Sequence, residues 1–295
     1  NKMKPATLAI AGAGTAAVKM GADYEDSLAK VSTIADTSKK SIGTLSDEVI
    51  NLSNETGTSA NEINEALYQA ISAGADTAKA TGLVEVAVKS AKGGFTDTAT
   101  AVDGLTSVLN TYNMKTEEAD KLANQFLITQ NLGKTTFGDL ASSIGKVAPT
   151  AHAAGVQTNE LLSSIAALTA NGINTAESMT GMKAALSNII KPSKEASDMA
   201  KSLGLDFSAT ALQTKGLSGF MAELKEKTGG NLDTMSKLFG STEALNTVLT
   251  LTSENGVKVY DNSMKEMKTN TTAVDDAFNK VNNTTSNNLK KSLNE

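Results

Sequence analysis

The chain has 295 residues, a formal net charge of −5 and an isoelectric point near 5.2; every basic residue is a lysine and only 4% of residues are aromatic. Cysteine and tryptophan are absent, which excludes disulfides and thiolate metal sites, and no arginine or basic, aromatic-interleaved run provides a sequence-reading nucleic-acid surface. A core drawn largely from Ala, Ser, Thr, Gly and Met lets helices approach closely, but at roughly 25 cal/mol per Å² each contact stabilises less than a Leu/Phe contact, so modest stability or support from an oligomer is expected.

The first 22 residues read as a small-residue apolar helix. Leu8 to Val18 follows Lys2 and Lys4 as a signal-peptide core would, yet it is rich in Gly and Thr and far short of the roughly 20 residues that span a bilayer. Gly12-x-Gly14-x-x-Ala17, with Asp36 downstream, imitates a dinucleotide-binding fingerprint. That fingerprint needs β-branched strand runs, and only helical periodicity follows.

From there apolar residues recur at helical spacing: Ile42, Leu45, Val49 and Leu52; Ile63, Ala66, Leu67, Ala70 and Ile71 up to Gly74; Leu83, Val84, Ala87, Val88 and Ala91 up to Gly93-Gly94; then Val102, Leu105 and Leu109. Thr116, followed by Glu117 and Glu118, predicts an N-cap with carboxylates in the positive first turn of a helix carrying Leu122 and Phe126.

The middle third repeats a Gly-x-x-Thr spelling at Gly133 to Thr136, Gly155 to Thr158 and Gly172 to Thr175. A glycine in the left-handed conformation closes one helix and the threonine hydroxyl caps the next, so these links predict helices that turn back on one another. Leu161, Leu162, Ile165 and Leu168 form one stripe, and Met179, Met182, Leu186, Ile189 and Ile190 the following one, which Pro192 stops before Ser193 opens a third helix. The intervals between the three glycines differ, which argues against a solenoid, and the many glycines interrupt any coiled-coil seam.

Periodicity lapses from Leu203 to Gly216, where a loop or short extended piece is expected. Phe220, Met221 and Leu224 make a helix; Leu232, Met235, Leu238 and Phe239 make another, ended by Gly240; Ser241 caps the next, with Leu245, Val248 and Leu249 inward; Asn255-Gly256 marks a break before Val257, Tyr260, Met264 and Met267. From Lys268 the chain is rich in Thr and Asn, with a thin seam of Val274, Phe278, Val281, Leu289 and Leu293 and Thr285 on the same face. Such a seam suits partner helices better than a domain core, and the lack of a helix stop at Glu295 leads us to expect a longer native chain.

Chemistry-bearing residues are sparse. His152 is the sole histidine, among alanines, and is expected to be structural or solvent-facing. Glu117 with Glu118 and Asp275 with Asp276 are sequential, so they splay about 100° apart on a helix and make no acid/base dyad. Catalytic, cofactor-binding and metal-binding residues are each expected to be none, and no cofactor is called for. The methionines at 179, 182, 221, 235, 264 and 267 look like adaptable core filler.

The order of several motifs carries a family resemblance. Asp23-Tyr-Glu-Asp-Ser-Leu-Ala-Lys-Val, Leu52 to Ile63, Ala70 to Ala75, Gly155 to Leu162, Asn171 to Lys183, Pro192-Ser and Leu203-Gly-Leu-Asp together resemble the core of phage tail tape measure proteins, over about Asp23 to Leu251. Where many relatives have an arginine, this chain has Lys183, which puts a bidentate contact there in doubt.

The resemblance implies a structural virion protein of the tail tube lumen, made in the bacterial host cytoplasm, that templates tube length and leaves ahead of DNA. Its implied partners are further copies of itself, as in a trimer, the tail tube protein, baseplate or tail-tip hub proteins and tail assembly chaperones. Sequence-specific nucleic acid is not among them, and nothing supports membrane contact. The competing reading is a secreted or surface helical translocator or adhesin-like protein; an enzyme is not expected. The fold expected is an all-α multi-helix bundle of short antiparallel helices and hairpins, with longer helices at both ends. Its divisions would be 1–22, a core over 23–251 and a helical extension over 252–295.

Overall fold

Isolated helices of three or four turns are marginal in water, so each of the amphipathic stripes above must find a neighbour. The computed structural model describes residues 21–294, and the small-residue stretch before residue 21 lies outside them. Seventeen α-helices and two single 3-10 turns make up the described residues, with no strand among them. The fold is an all-α multi-helix bundle.

A first group comprises α1 (21–32), α2 (Ile42–Thr56), α3 (Ala60–Ser72), α4 (Ala80–Gly93) and α5 (Thr98–Thr111). The central group is α6 (Ala119–Leu132), α7 (Phe137–Ser143), α8 (Ala148–Ala153), α9 (Thr158–Ala170) and α10 (Thr175–Ile190). Then follow α11 (Lys194–Leu203), α12 (Ala209–Thr228), α13 (Leu232–Leu238), α14 (Thr242–Thr252), α15 (Glu254–Thr269), α16 (Ala273–Asn282) and α17 (Thr285–Asn294).

Helix α4 packs on α3, α5 and α16; α6 on α9; α9 on α15; and α10 on α14. One continuous apolar cluster runs from Val31 to Val274. As the composition requires, alanines make up much of it, and five of the buried aromatics form two ring clusters: Phe126 with Phe137 (ring centroids 5.3 Å apart), and Phe207 with Phe220 and Phe239 (5.7 and 5.4 Å). Met179, Met182 and Met235 are fully buried, in keeping with a filler role.

The helix boundaries refine the sequence reading. Gly155 and Gly172 have the expected positive φ (79° and 95°), but Gly133 does not, with φ −93° and ψ −176°. A Cβ on Gly133 would lie 2.4 Å from Thr169 Oγ1 and 3.1 Å from Ala166 Cα, so this glycine serves the close approach of α9. The threonine caps the next helix only at Thr136, whose hydroxyl accepts from Asp139 N at 3.0 Å. At the other two links the preceding residue caps: Asn174 accepts from Glu177 N at 2.9 Å, and Gln157 N donates to Glu160 Oε2 at 3.0 Å.

Thr116 likewise is no cap, because Glu118 reaches back to Lys115 N at 2.9 Å. Ser193 and Ser241 cap as expected. The 203–216 segment is a loop only at 204–208; α12 begins at Ala209 and is kinked at Gly216. The break expected at Asn255-Gly256 falls at Ser253, which caps α15 through Gly256 N at 3.0 Å.

The Thr/Asn-rich stretch is helical, and the first part of its seam is buried within the chain rather than left for a partner. Val274 and Phe278 are buried within the chain, with α16 packed on α4. A break at Asn283-Thr284 then turns α17 onto α2, with Thr285 and Leu289 exposed. The extension over 252–295 opens with the sixteen-residue α15, matched in length by α10, and ends in α16 and α17 of ten residues each.

Candidate functional site

The chemistry-bearing residues singled out in the sequence lie in separate parts of the fold. His152 is exposed on α8, its ring 4.9 Å from that of Tyr112, whose hydroxyl donates to Val156 O at 3.1 Å. Glu117 pairs with Lys79 while Glu118 caps the adjacent turn. Asp275 pairs with Lys89 at 3.2 Å, and Asp276 accepts from Thr272 at 3.1 Å. Lys183 is exposed and makes no ion pair among the described residues. Among those residues no three His, Cys, Asp or Glu side chains could hold a metal ion together.

What the fold builds instead is a surface, organised by Glu160. This residue closes the capping box of α9, and its other carboxylate oxygen accepts from Leu217 N at 2.8 Å. Gly216, with φ 68° and ψ 168°, breaks α12 into two helical pieces, so Glu160 also caps the second piece, where an anion is favoured. Nothing in the sequence pairs these residues, which are 57 apart in the chain.

Beside this junction lies an apolar groove of about 370 Å³, lined by Ser164 of α9, Leu217 and Met221 of α12, Leu251 of α14, and Val257 and Tyr260 of α15. Tyr260 is 6% exposed and its phenolic oxygen has no hydrogen-bond partner among the described residues. Burial pushes its ionisation well above the ordinary tyrosine range, with smaller contributions from Glu160 and Asp261. Tyr112 is pushed up the same way, by burial and then by Glu160.

Elsewhere the surface carries isolated large apolar residues. Phe95 is 81% exposed and, rather than either preceding glycine, takes the positive φ (56°) that follows α4. No helix among the described residues is long and apolar enough to cross a membrane.

Comparison with known proteins places this surface in context. The family profile described as phage-related minor tail protein matches residues 46–240. The probable tape measure protein of Clostridium phage phiCD119 is 31% identical over 285 residues, which is 92% of this chain and 30% of that protein. The tape measure protein of Pneumococcus phage Dp-1 is 27% identical over 228 residues, covering 76% of this chain and 20% of its own length. The chain therefore spans less than a third of either relative. No solved structure matches it.

Proposed function

The chain belongs to the phage-related minor tail proteins, the family of tail tape measure proteins, and from that premise we propose that it is the folded helical core of a tape measure protein in the tail of a long-tailed phage. In this reading the full polypeptide occupies the tail tube lumen, templates the tube so that its own length sets tail length, and leaves ahead of DNA at ejection. Further copies of the chain, the tail tube protein, tail-tip or baseplate hub proteins and assembly chaperones are its partners.

The observation that carries the proposal is the similarity to a tape measure protein along 92% of the chain. The fold is compatible with it but supplies a constraint. A single unbroken helix of this length would reach about 440 Å at 1.5 Å per residue, whereas the longest uninterrupted helices among the described residues have sixteen residues. This segment acts as a compact unit unless it is opened, and the ruler function is assigned to the full polypeptide in its extended state.

The test is electron microscopy of tails from phages whose full-length protein carries in-frame deletions or duplications outside this core. Tails that shorten or lengthen by about 1.5 Å per residue support the reading, and tails of unchanged length overturn it. The proposal includes no enzymatic activity, and clearing of a cell-wall zymogram by the purified chain would refute that part of it.

A further inference from the structure

Two Asn-Gly dipeptides occur in the sequence, Asn171-Gly172 and Asn255-Gly256, and the fold brings them together. Asn171 caps the C-terminus of α9, and Asn255 lies in the first turn of α15. The Asn255 amide donates to Asn171 Oδ1 at 2.9 Å, across 84 residues of chain. Asn171 Nδ2 donates in turn to Ala167 O at 2.7 Å. Both asparagines are exposed, so water reaches them.

An asparagine followed by glycine is chemically labile, because no Cβ shields the glycine nitrogen or restrains its backbone. That nitrogen attacks the asparagine Cγ and gives up its proton to base; the Cγ–Nδ2 bond breaks, ammonia leaves, and a five-membered succinimide remains. Water then opens the ring at either carbonyl, to aspartate or to isoaspartate. Each event consumes one water, releases one ammonia and transfers no electrons. Ring closure requires the glycine nitrogen to eclipse the asparagine Cβ. At Asn171, with φ −90° and ψ 9°, it eclipses that residue's own backbone nitrogen instead, and at Asn255 the helical ψ of α15 also holds it away from Cβ. Both nucleophiles are occupied as well. Gly172 N donates to Thr169 O at 3.0 Å in a Schellman motif completed by Ile173 N to Leu168 O at 3.2 Å, and Gly256 N donates to Ser253 Oγ at 3.0 Å.

We propose that Asn171 and Asn255 form a paired deamidation site that the fold keeps closed and that reacts once α9 and α15 part. Reaction at Asn171 removes the donor to Ala167 O and puts a carboxylate at the negative end of α9. Isoaspartate there adds a methylene to the main chain and breaks the register of the Schellman motif. Reaction at both positions leaves two carboxylates where one amide hydrogen bond stood. The modified chain therefore recloses less stably, and deamidation marks the copies that have been open. A chain held extended in a tail is such an open copy, a consequence that rests on the function proposed above; the site itself does not.

The experiment incubates the 295-residue chain for several days in mildly alkaline buffer, with and without guanidinium chloride, and follows aspartate and isoaspartate at both positions by peptide mass spectrometry. No tail is involved, so its outcome is separate from that of the tail-length test. The expected result is accumulation at both positions in denaturant and accumulation at least about tenfold slower in buffer, because only the opened fraction reacts. Asn255 is exposed and helical, so Asn255→Ala retains the fold. It is expected to speed deamidation of Asn171 in buffer about twofold to fivefold, the factor set by the loss of one hydrogen bond, and to leave the rate in denaturant unchanged. Absence of deamidation in denaturant, equal rates in the two conditions, or an Asn171 rate in buffer unmoved by Asn255→Ala overturns the proposal.

Discussion

Two glycine-to-alanine substitutions separate packing from helix propensity in this bundle. Gly82 in α4 is exposed, and a Cβ there would meet nothing within 4 Å; Gly82→Ala should therefore gain the propensity difference, about 0.5–1 kcal/mol. Gly104 in α5 is buried against α7, and its Cβ would stand 2.5 Å from Ala141 Cβ and 2.6 Å from Ala141 Cα. Carbon atoms in contact rest about 3.5–4.0 Å apart, so the two helices must separate by about an ångström, with no flexible side chain to absorb the strain. Overpacking of that kind costs about 1–3 kcal/mol. The same propensity gain offsets part of this, leaving Gly104→Ala destabilised by about 1 kcal/mol and, since the propensity gain is common to both, some 1–3 kcal/mol below Gly82→Ala. Urea denaturation followed by far-ultraviolet circular dichroism measures both. Ala141→Gly in the Gly104→Ala background should restore only part of the loss, since the α7 backbone at position 141 still stands too close. If Gly104→Ala matches or exceeds Gly82→Ala in stability, close helix approach is not what holds α5 to α7.

Glu160→Ala removes the acceptor for Gln157 N and Leu217 N and should lower stability by about 2 kcal/mol, the scale of hydrogen bonds to a charged group; an unchanged urea midpoint would dismiss its role at the kink. Tyr260→Phe deletes a buried hydroxyl without a partner, so stability at neutral pH should hold or rise. Because burial keeps Tyr260 and Tyr112 neutral in the fold, the unfolded chain alone ionises just above pH 10. Stability must then fall with rising pH there, and fall less steeply in Tyr260→Phe. Asp97 caps α5 through Thr100 N at 2.8 Å, which holds its carboxyl below the usual range. Its contribution is present above the unfolded value near pH 3.9 and is lost as pH falls through the folded one. Asp97→Ala should accordingly cost about 1 kcal/mol at pH 7 and little at pH 2, as thermal melts at the two values would show. Phe95→Gly relieves a left-handed residue with an exposed ring and should raise stability by about 1 kcal/mol; a fall would mean the ring packs on something within the fold.

Helices are legible in the sequence because burial imposes a 3.6-residue period: Leu45, Val49 and Leu52 on α2, or Leu161, Leu162, Ile165 and Leu168 on α9, are buried as spaced. Caps are legible only to within one residue, since Asn174 and Thr175 both carry a suitable oxygen and asparagine is the better cap. Gly133 reads like Gly155 and Gly172 because sequence does not distinguish a glycine needed for positive φ from one needed for close approach. The surface features are least legible. Glu160 meets Leu217 across 57 residues and Lys92 meets Asn287 across 195, and no local pattern encodes such pairings.

On the function proposed above, these long-range pairings bear on how a compact unit could serve an extended protein. The last two helices fold back on the first group, α16 onto α4 and α17 onto α2, so tension along the chain loads those interfaces before it reaches the α4 to α10 core. Their chemistry differs. Helix α16 is held by Val274 and Phe278, whereas α17 leaves Leu289 exposed and is tied by Asn287 to Thr56 O and to Lys92. Polar ties of this kind contribute about 1 kcal/mol each because water replaces them readily, while fully burying an apolar side chain contributes about 1.5–3 kcal/mol. Opening therefore proceeds inward from α17 to α16 in small steps, in accord with local unfolding that begins where apolar packing is sparsest.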